Sequence, residues 1–243
     1  MSVTELVVIR HGESNGNAAA AEANATGAEV IIVDRRDADV SLSPVGVEQA
    51  HALGTALRPL VTADTDTRVW SSPYRRARET AELALGHEHG GSVLLDERLR
   101  DRELGVLDLL TSRGVQNRFP LEAERRVWLG KFYHRPPGGE SWADVALRLR
   151  SFLADLLVAP ADRAVLVGHD AVVLLVRYIC ERLTEQEVLG IQADDPVRNG
   201  SITRLTFRPS DGWTLIDYND VRHLQEQGVV ITEHRGEIDE RPR

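Results

Sequence analysis

Cysteine occurs once in the 243 residues, as Cys180, which excludes a disulfide framework and a cysteine-built zinc centre. Cys180 sits in an apolar stretch, and position 186 is Gln rather than the Arg that a cysteine phosphatase would carry there, so Cys180 reads as core packing. Excess positive charge is also lacking. The formal net charge is −9, which disfavours nonspecific binding to nucleic acid or to an anionic membrane. No apolar run approaches the roughly 20 residues of a membrane-spanning helix. Residues 1–5 show neither the charged nor the apolar region of a signal peptide, so the expectation is a cytoplasmic protein. No Gly-x4-Gly-Lys-Ser/Thr loop is present, which argues against a P-loop nucleotide hydrolase. Lysine is nearly absent: Lys131 is the exception among 29 basic residues, the rest being arginine.

What is present is a set of short apolar runs alternating with helical patterns. Leu6-Val7-Val8-Ile9, Arg68-Val69-Trp70, Val93-Leu94-Leu95 and Ala164-Val165-Leu166-Val167 read as buried strands. A short extended piece is expected at Val30–Val33, and an alanine-rich stretch from Asn15 to Glu29 is helix-forming but weakened by Gly16 and Gly27. Ser43-Pro44 is a helix start, Ser43 as N-cap and Pro44 at the first helical position, and Pro59 closes that segment. Helices are expected over 74–85, within 122–128, over 141–157 and over 171–183, with a hairpin at 201–207 and 213–218. The stretch from Asp96 to Gly105 is charge-dense and reads as a loop. These elements imply an α/β three-layer sandwich with a mostly parallel central sheet covered on both faces. One domain is expected over 1–225, followed by a polar tail, 226–243, that frays.

Two histidines directly follow apolar strands, in Val8-Ile9-Arg10-His11 and in Leu166-Val167-Gly168-His169. Right-handed crossovers bring the C-terminal ends of parallel strands to one edge, so these histidines and Ser71-Ser72 should converge. A neutral imidazole is a nucleophile when its far nitrogen keeps a proton on a carbonyl. Phosphoryl transfer asks for positive charge around three equatorial oxygens, which arginine supplies bidentately. Arg10 adjoins the first histidine, and Arg75, Arg76 and Arg78 open the helix after the second strand.

Three blocks carry a resemblance: Arg10-His11-Gly12-Glu13-Ser14-x-x-Asn17, Ser72-Pro73-x-x-Arg76-Ala77-x-x-Thr80-Ala81, and Gly168-His169. Leu42-Ser43-x-x-Gly46-x-x-Gln49-Ala50 and Gly138-Gly139-Glu140-Ser141 add to it. The chain resembles the histidine phosphatase superfamily, in its phosphoglycerate mutase-like branch 1. The resemblance implies that His11 accepts a phosphoryl group. It places Arg10, Arg76 and His169 around the phosphate, with Ser14 and Asn17 adding hydrogen bonds. The family's usual acid is a Glu in a Leu-x-Glu-x-x-x-Gly context. Here Leu99-Arg100-Asp101 ends in Asp, with Gly105 following, so Asp101 is the first candidate for general acid. Glu103 and Asp170 are the alternatives. Arg113, Arg118, Arg125, Arg126 and Arg135 are candidates for reading a second anion on the substrate, and Asn199-Gly200-Ser201 resembles a segment near the pocket.

The expected activity is metal-independent hydrolysis of a small-molecule phosphate ester, with no cofactor, no metal ligands and no nucleic-acid or membrane partner. Oligomeric state is unreadable. His87-Glu88-His89 is a short metal-like cluster that reads as surface loop. The competing readings are a phosphoglycerate mutase and a catalytically weak phosphate-binding regulator. The short span from Asp101 to His169 favours a phosphatase over the mutase.

Overall fold

The structure is a computed structural model describing residues 3–62, 66–86, 93–156, 158–159 and 161–234. Its strands are β1 (Glu5–Arg10), β2 (Thr67–Ser71), β3 (Val93–Leu95), β4 (Arg163–Gly168), β5 (Ile202–Arg208) and β6 (Gly212–Asp220). Its helices are α1 (Asn15–Thr26), α2 (Pro44–Leu57), α3 (Arg75–Leu85), α4 (Ser112–Arg118), α5 (Pro120–Leu129), α6 (Trp142–Leu156), α7 (Asp170–Cys180), α8 (Glu185–Asp194) and α9 (Arg222–Glu226).

One six-stranded sheet runs in the order β3-β2-β4-β1-β5-β6. The first four strands are parallel, and β5 joins β1 antiparallel, followed by β6. Period-two alternation divides the central strands between two cores. Leu6, Val8, Ala164 and Leu166 face one core with Leu149 and Phe152 of α6 and Leu174 of α7. Val7, Ile9, Val165 and Val167 face the other, with Leu53 and Leu57 of α2 and Ala77 and Ala81 of α3. The result is the expected three-layer sandwich. Both faces of β1 and β4 are buried, which is why those strands are apolar at nearly every position.

Local signals account for most helix starts. Ser43 Oγ accepts the Gly46 N–H at 3.0 Å with Pro44 in the first turn. Ser141 Oγ accepts from Asp144 N at 3.1 Å, while Asp144 Oδ2 accepts from Ser141 N at 2.8 Å. This reciprocal pair starts α6. The alanine stretch does form α1, ended by Gly27 in a left-handed conformation (φ 67°).

Three expectations differ from the structure. Val30–Val33 forms no strand; only Val30 makes an isolated bridge, to Leu110. The helix expected over 171–183 stops at Cys180, and α8 follows it. The residues from 226 do not fray at once. Gln49 Nε2 donates to Val230 O at 2.8 Å and to Thr232 Oγ1 at 3.0 Å, Asn199 N donates to Thr232 O at 3.1 Å, and His234 Nε2 lies 3.0 Å from Glu13 Oε2. A polar segment docks when buried polar groups elsewhere lack other partners, and here Gln49 and Asn199 are fully buried. His87-Glu88-His89 and residues 235–243 lie outside the described residues. Among the described residues no helix is long and apolar enough to cross a membrane.

Candidate active site

The sheet register assembles the site. Arg10 pairs with Gly168 across β1 and β4, so the residues that follow, His11 and His169, emerge side by side. His11 N donates to Gly168 O and Ser72 N donates to Val167 O, both at 2.9 Å, joining three strand ends. Because β5 is antiparallel to β1, its start also reaches this edge. Gly200 N donates to Arg10 O at 3.1 Å, and Asn199 Nδ2 donates to His11 O at 3.1 Å. The resemblance of Asn199-Gly200-Ser201 to a pocket segment is thus matched by its place in the fold.

The two imidazoles stand edge to face, with centroids 5.2 Å apart and planes at 66°. His11 Nδ1 lies 2.6 Å from Gly12 O. A carbonyl only accepts, so Nδ1 carries the proton and Nε2 keeps a lone pair. Burial, reinforced by Arg76, His169 and Arg10, holds the His11 imidazole well below its ordinary value. It is therefore neutral. His169 is fully buried, with Nε2 2.9 Å from Ser72 Oγ. Its Nδ1 lies 3.1 Å from Asp101 Oδ2 but off the line of a hydrogen bond. Tyr74 packs edge-on against His169 at 5.3 Å.

Two buried guanidiniums flank the histidines. Arg10 donates Nη1 to Val197 O, and its buried Nε has no partner among the described residues. Burial lowers its pKa against the opposing pull of Asp170 and Asp101. A buried donor without a partner is a place for an arriving anion's oxygen. Arg76 donates to both carboxylate oxygens of Asp37, at 3.0 and 3.2 Å, and from Nη2 to Asp101 Oδ2 at 2.8 Å. Burial would lower the Arg76 pKa, but Asp101 and Asp37 outweigh it and raise it. Arg75 and Arg78 instead pair along the helix surface with Glu79 and Glu82, the solvated face expected of part of this cluster.

The three acid candidates separate clearly. Asp101 touches Arg76 and His169 and accepts from Arg102 N at 2.8 Å. Burial would raise its pKa, but His169 and Arg76 outweigh burial and hold it well below the usual carboxylate range. Glu103 accepts from the Tyr74 hydroxyl at 2.6 Å, one step outside this cluster. Asp170 accepts from Ala171 N at 2.8 Å in the first turn of α7. Ser14 and Asn17 form a reciprocal cap at the start of α1, with 3.1 Å bonds in both directions. Asn17 Oδ1 also accepts from Asn199 Nδ2 at 3.3 Å. Both residues hold the wall of the site.

Of the arginines expected to read a second anion, four are committed elsewhere. Arg113 donates to Gly27 O at 3.1 Å, Arg118 pairs with Glu29 at 2.9 Å, Arg125 with Glu122 at 3.5 Å, and Arg135 donates Nε to Asp144 at 2.6 Å. Sequence reasoning misses Asp37, Tyr74 and the docked segment 229–234. No motif marks Asp37: it opens a single 3-10 turn, Asp37–Asp39, in a run of arginines and aspartates, and only the folded chain brings it to Arg76.

A family model described as the histidine phosphatase superfamily (branch 1) matches residues 6–221. A protein of Erwinia tasmaniensis named probable phosphoglycerate mutase GpmB is 30% identical over 243 residues, covering 93% of this chain and 97% of that protein. The structure of a mycobacterial glucosyl-3-phosphoglycerate phosphatase superposes with a TM-score of 0.70 at 27% identity, over 90% of this chain and 100% of that one. A phosphoserine phosphatase of Entamoeba histolytica shares the fold, with a TM-score of 0.68 at 22% identity, over 91% of this chain and 100% of that one. The chain therefore belongs to the histidine phosphatase superfamily, branch 1.

Proposed function

We propose that this protein hydrolyses phosphomonoesters of small metabolites through a phosphohistidine on His11. The observation that carries the reading is the orientation of the His11 ring: Nδ1 tied to Gly12 O, Nε2 left with its lone pair, beside His169 and two buried arginines. In the first step the Nε2 lone pair attacks phosphorus and the P–O ester bond breaks. Arg10, Arg76 and His169 stabilise the equatorial oxygens, with positioning and charge supplying most of the acceleration. The leaving alkoxide takes a proton from Asp101. In the second step Asp101 removes a proton from water, the hydroxide attacks phosphorus, and the N–P bond pair returns to Nε2.

Arg76 and His169 hold Asp101 ionised, so it must be made an acid by the substrate. A phosphate dianion docking on Arg76 and His169 competes for the two groups that depress its pKa and adds a negative charge beside it. Both effects raise the pKa. The single, buried thiol suits a cytoplasmic setting.

The second reading, a phosphoglycerate mutase, is favoured by the 30% identity to a protein named as such. The two differ in whether water reaches the phosphohistidine. Supplying 3-phosphoglycerate with trace 2,3-bisphosphoglycerate, alongside a panel of phosphomonoesters, separates them. Phosphate release by the wild type and none by His11→Ala is the expected result. Formation of 2-phosphoglycerate without phosphate release would instead establish the mutase. Wild type no better than His11→Ala on every ester would leave a phosphate-binding regulator.

A further inference from the structure

Gly12 is the joint between the nucleophile and the helix behind it. A Cβ at Gly12 would lie 2.6 Å from the carbonyl oxygen of Gly46, in the first turn of α2, so close approach confines the position to glycine. Glycine brings backbone freedom with it, and the peptides on either side must be fixed by hydrogen bonds. On one side Gly12 N donates to Thr80 Oγ1 at 3.1 Å. On the other side Glu13 N donates to Gln49 Oε1 at 2.8 Å. Thr80 and Gln49 are both fully buried. Each is itself oriented. The Thr80 hydroxyl proton goes to Arg76 O at 2.7 Å, so its lone pair is left for Gly12. The Gln49 amide nitrogen donates to Val230 O and Thr232 Oγ1, so its oxygen is left for Glu13. Between the two fixed N–H groups lies the Gly12 carbonyl that holds the His11 Nδ1 proton.

We infer that Thr80 and Gln49 are positioning residues for His11, clamping the peptides around Gly12 so that its carbonyl faces Nδ1 and the Nε2 lone pair faces the phosphate. The inference rests on His11 being the nucleophile, and it gives a role to two residues that the phosphate chemistry does not use. A neutral imidazole has two tautomers, and the fixed acceptor chooses between them. When the carbonyl swings, the tautomer with its proton on Nε2 gains population and cannot attack. The ring also loses its aim. Neither change removes a phosphate contact, so the phosphorylation step suffers and substrate binding does not. Simple packing by Thr80 would be preserved by valine, which matches its shape without the hydroxyl.

The test uses Thr80→Val, Thr80→Ser and Gln49→Met in the full chain. It measures single-turnover phosphoenzyme formation, KM, and the ring nitrogen-15 resonances of His11. Thr80→Val and Gln49→Met should each slow phosphorylation about tenfold to hundredfold with KM changed less than about threefold, as expected of a small misplacement of a reacting group. The His11 ring nitrogens should move from a pure Nδ1–H pattern toward an average of both tautomers. Thr80→Ser should recover most of the rate. The inference is overturned if both variants phosphorylate at the wild-type rate with unchanged ring resonances, or if Thr80→Ser is as slow as Thr80→Val. Should Thr80→Val not fold, Gln49→Met decides alone: a wild-type rate with unchanged resonances overturns the clamp, and a slowed rate with mixed tautomers supports it. Should the wild type form no phosphohistidine, the nucleophile reading fails, and the ring spectra still decide the clamp.

Discussion

Asp101 faces the Arg76 guanidinium and the His169 imidazole, which together hold its pKa well below the usual carboxylate range. An acid that appears only when substrate neutralises its partners gives a sharp expectation for Asp101→Asn. Loss of proton donation should lower kcat by about 10²–10⁴ for alkyl phosphates. With p-nitrophenyl phosphate, whose leaving group needs no proton, the phosphorylation step, read as the burst of p-nitrophenolate, should slow by under about tenfold, while steady-state turnover also loses Asp101 as the base toward water. Equal losses in phosphorylation on both esters would show that Asp101 does not act as the acid. His11 makes a pH prediction of the opposite kind. Burial lowers its pKa below 6.5, so it stays neutral as the pH falls further than a free imidazole would. Protonation removes the nucleophilic lone pair. The acid limb of kcat/KM, corrected for substrate ionisation, should therefore fall below pH 6.5, and a limb at or above it would contradict the neutral nucleophile.

Among the elements, those with a dense apolar pattern are legible in the sequence. The runs of β1 and β4 are buried on both faces, and α6 buries Val145, Leu149, Phe152, Leu153 and Leu156 as its spacing predicts. By contrast α8 buries only Val188, too thin a stripe to register as a periodicity. The segment 229–234 carries no local signal at all, because its partners Gln49, Asn199 and Glu13 lie far away in sequence. Its removal is a direct test of that docking. A chain ending at Gly228 leaves Gln49 and Asn199 with unmet hydrogen-bonding groups. At about 1–3 kcal/mol for such orphaned groups and about 2–4 °C per kcal/mol for a chain of this size, Tm should drop by roughly 2–12 °C. Calorimetry of the truncated chain checks it, and an unchanged Tm would mean that the segment contributes nothing.

For the molecule as a whole, function follows from topology. Two parallel pairings, β1 with β4 and β4 with β2, and the antiparallel pairing of β5 with β1 bring Arg10-His11, Ser71-Ser72, Gly168-His169 and Asn199-Gly200 to one edge of one sheet. Strand ends and the helix start after β2 can be read from sequence, so the motifs there name His11, His169, Arg10 and Arg76 without the fold. Asp37 and Tyr74 stay hidden, because a single 3-10 turn and a helix cap bring them in from the side and no periodicity encodes where so short a piece folds. The central claim is that this edge holds a phosphohistidine. The most direct measurement exposes the protein briefly to a phosphate-labelled ester, quenches it in alkali, and maps the label to a peptide. The predicted result is a label on His11 that is stable in alkali, lost in acid, and absent from His11→Ala. Turnover retained in His11→Ala, or a label that is lost in alkali as an acyl phosphate would be, would contradict it.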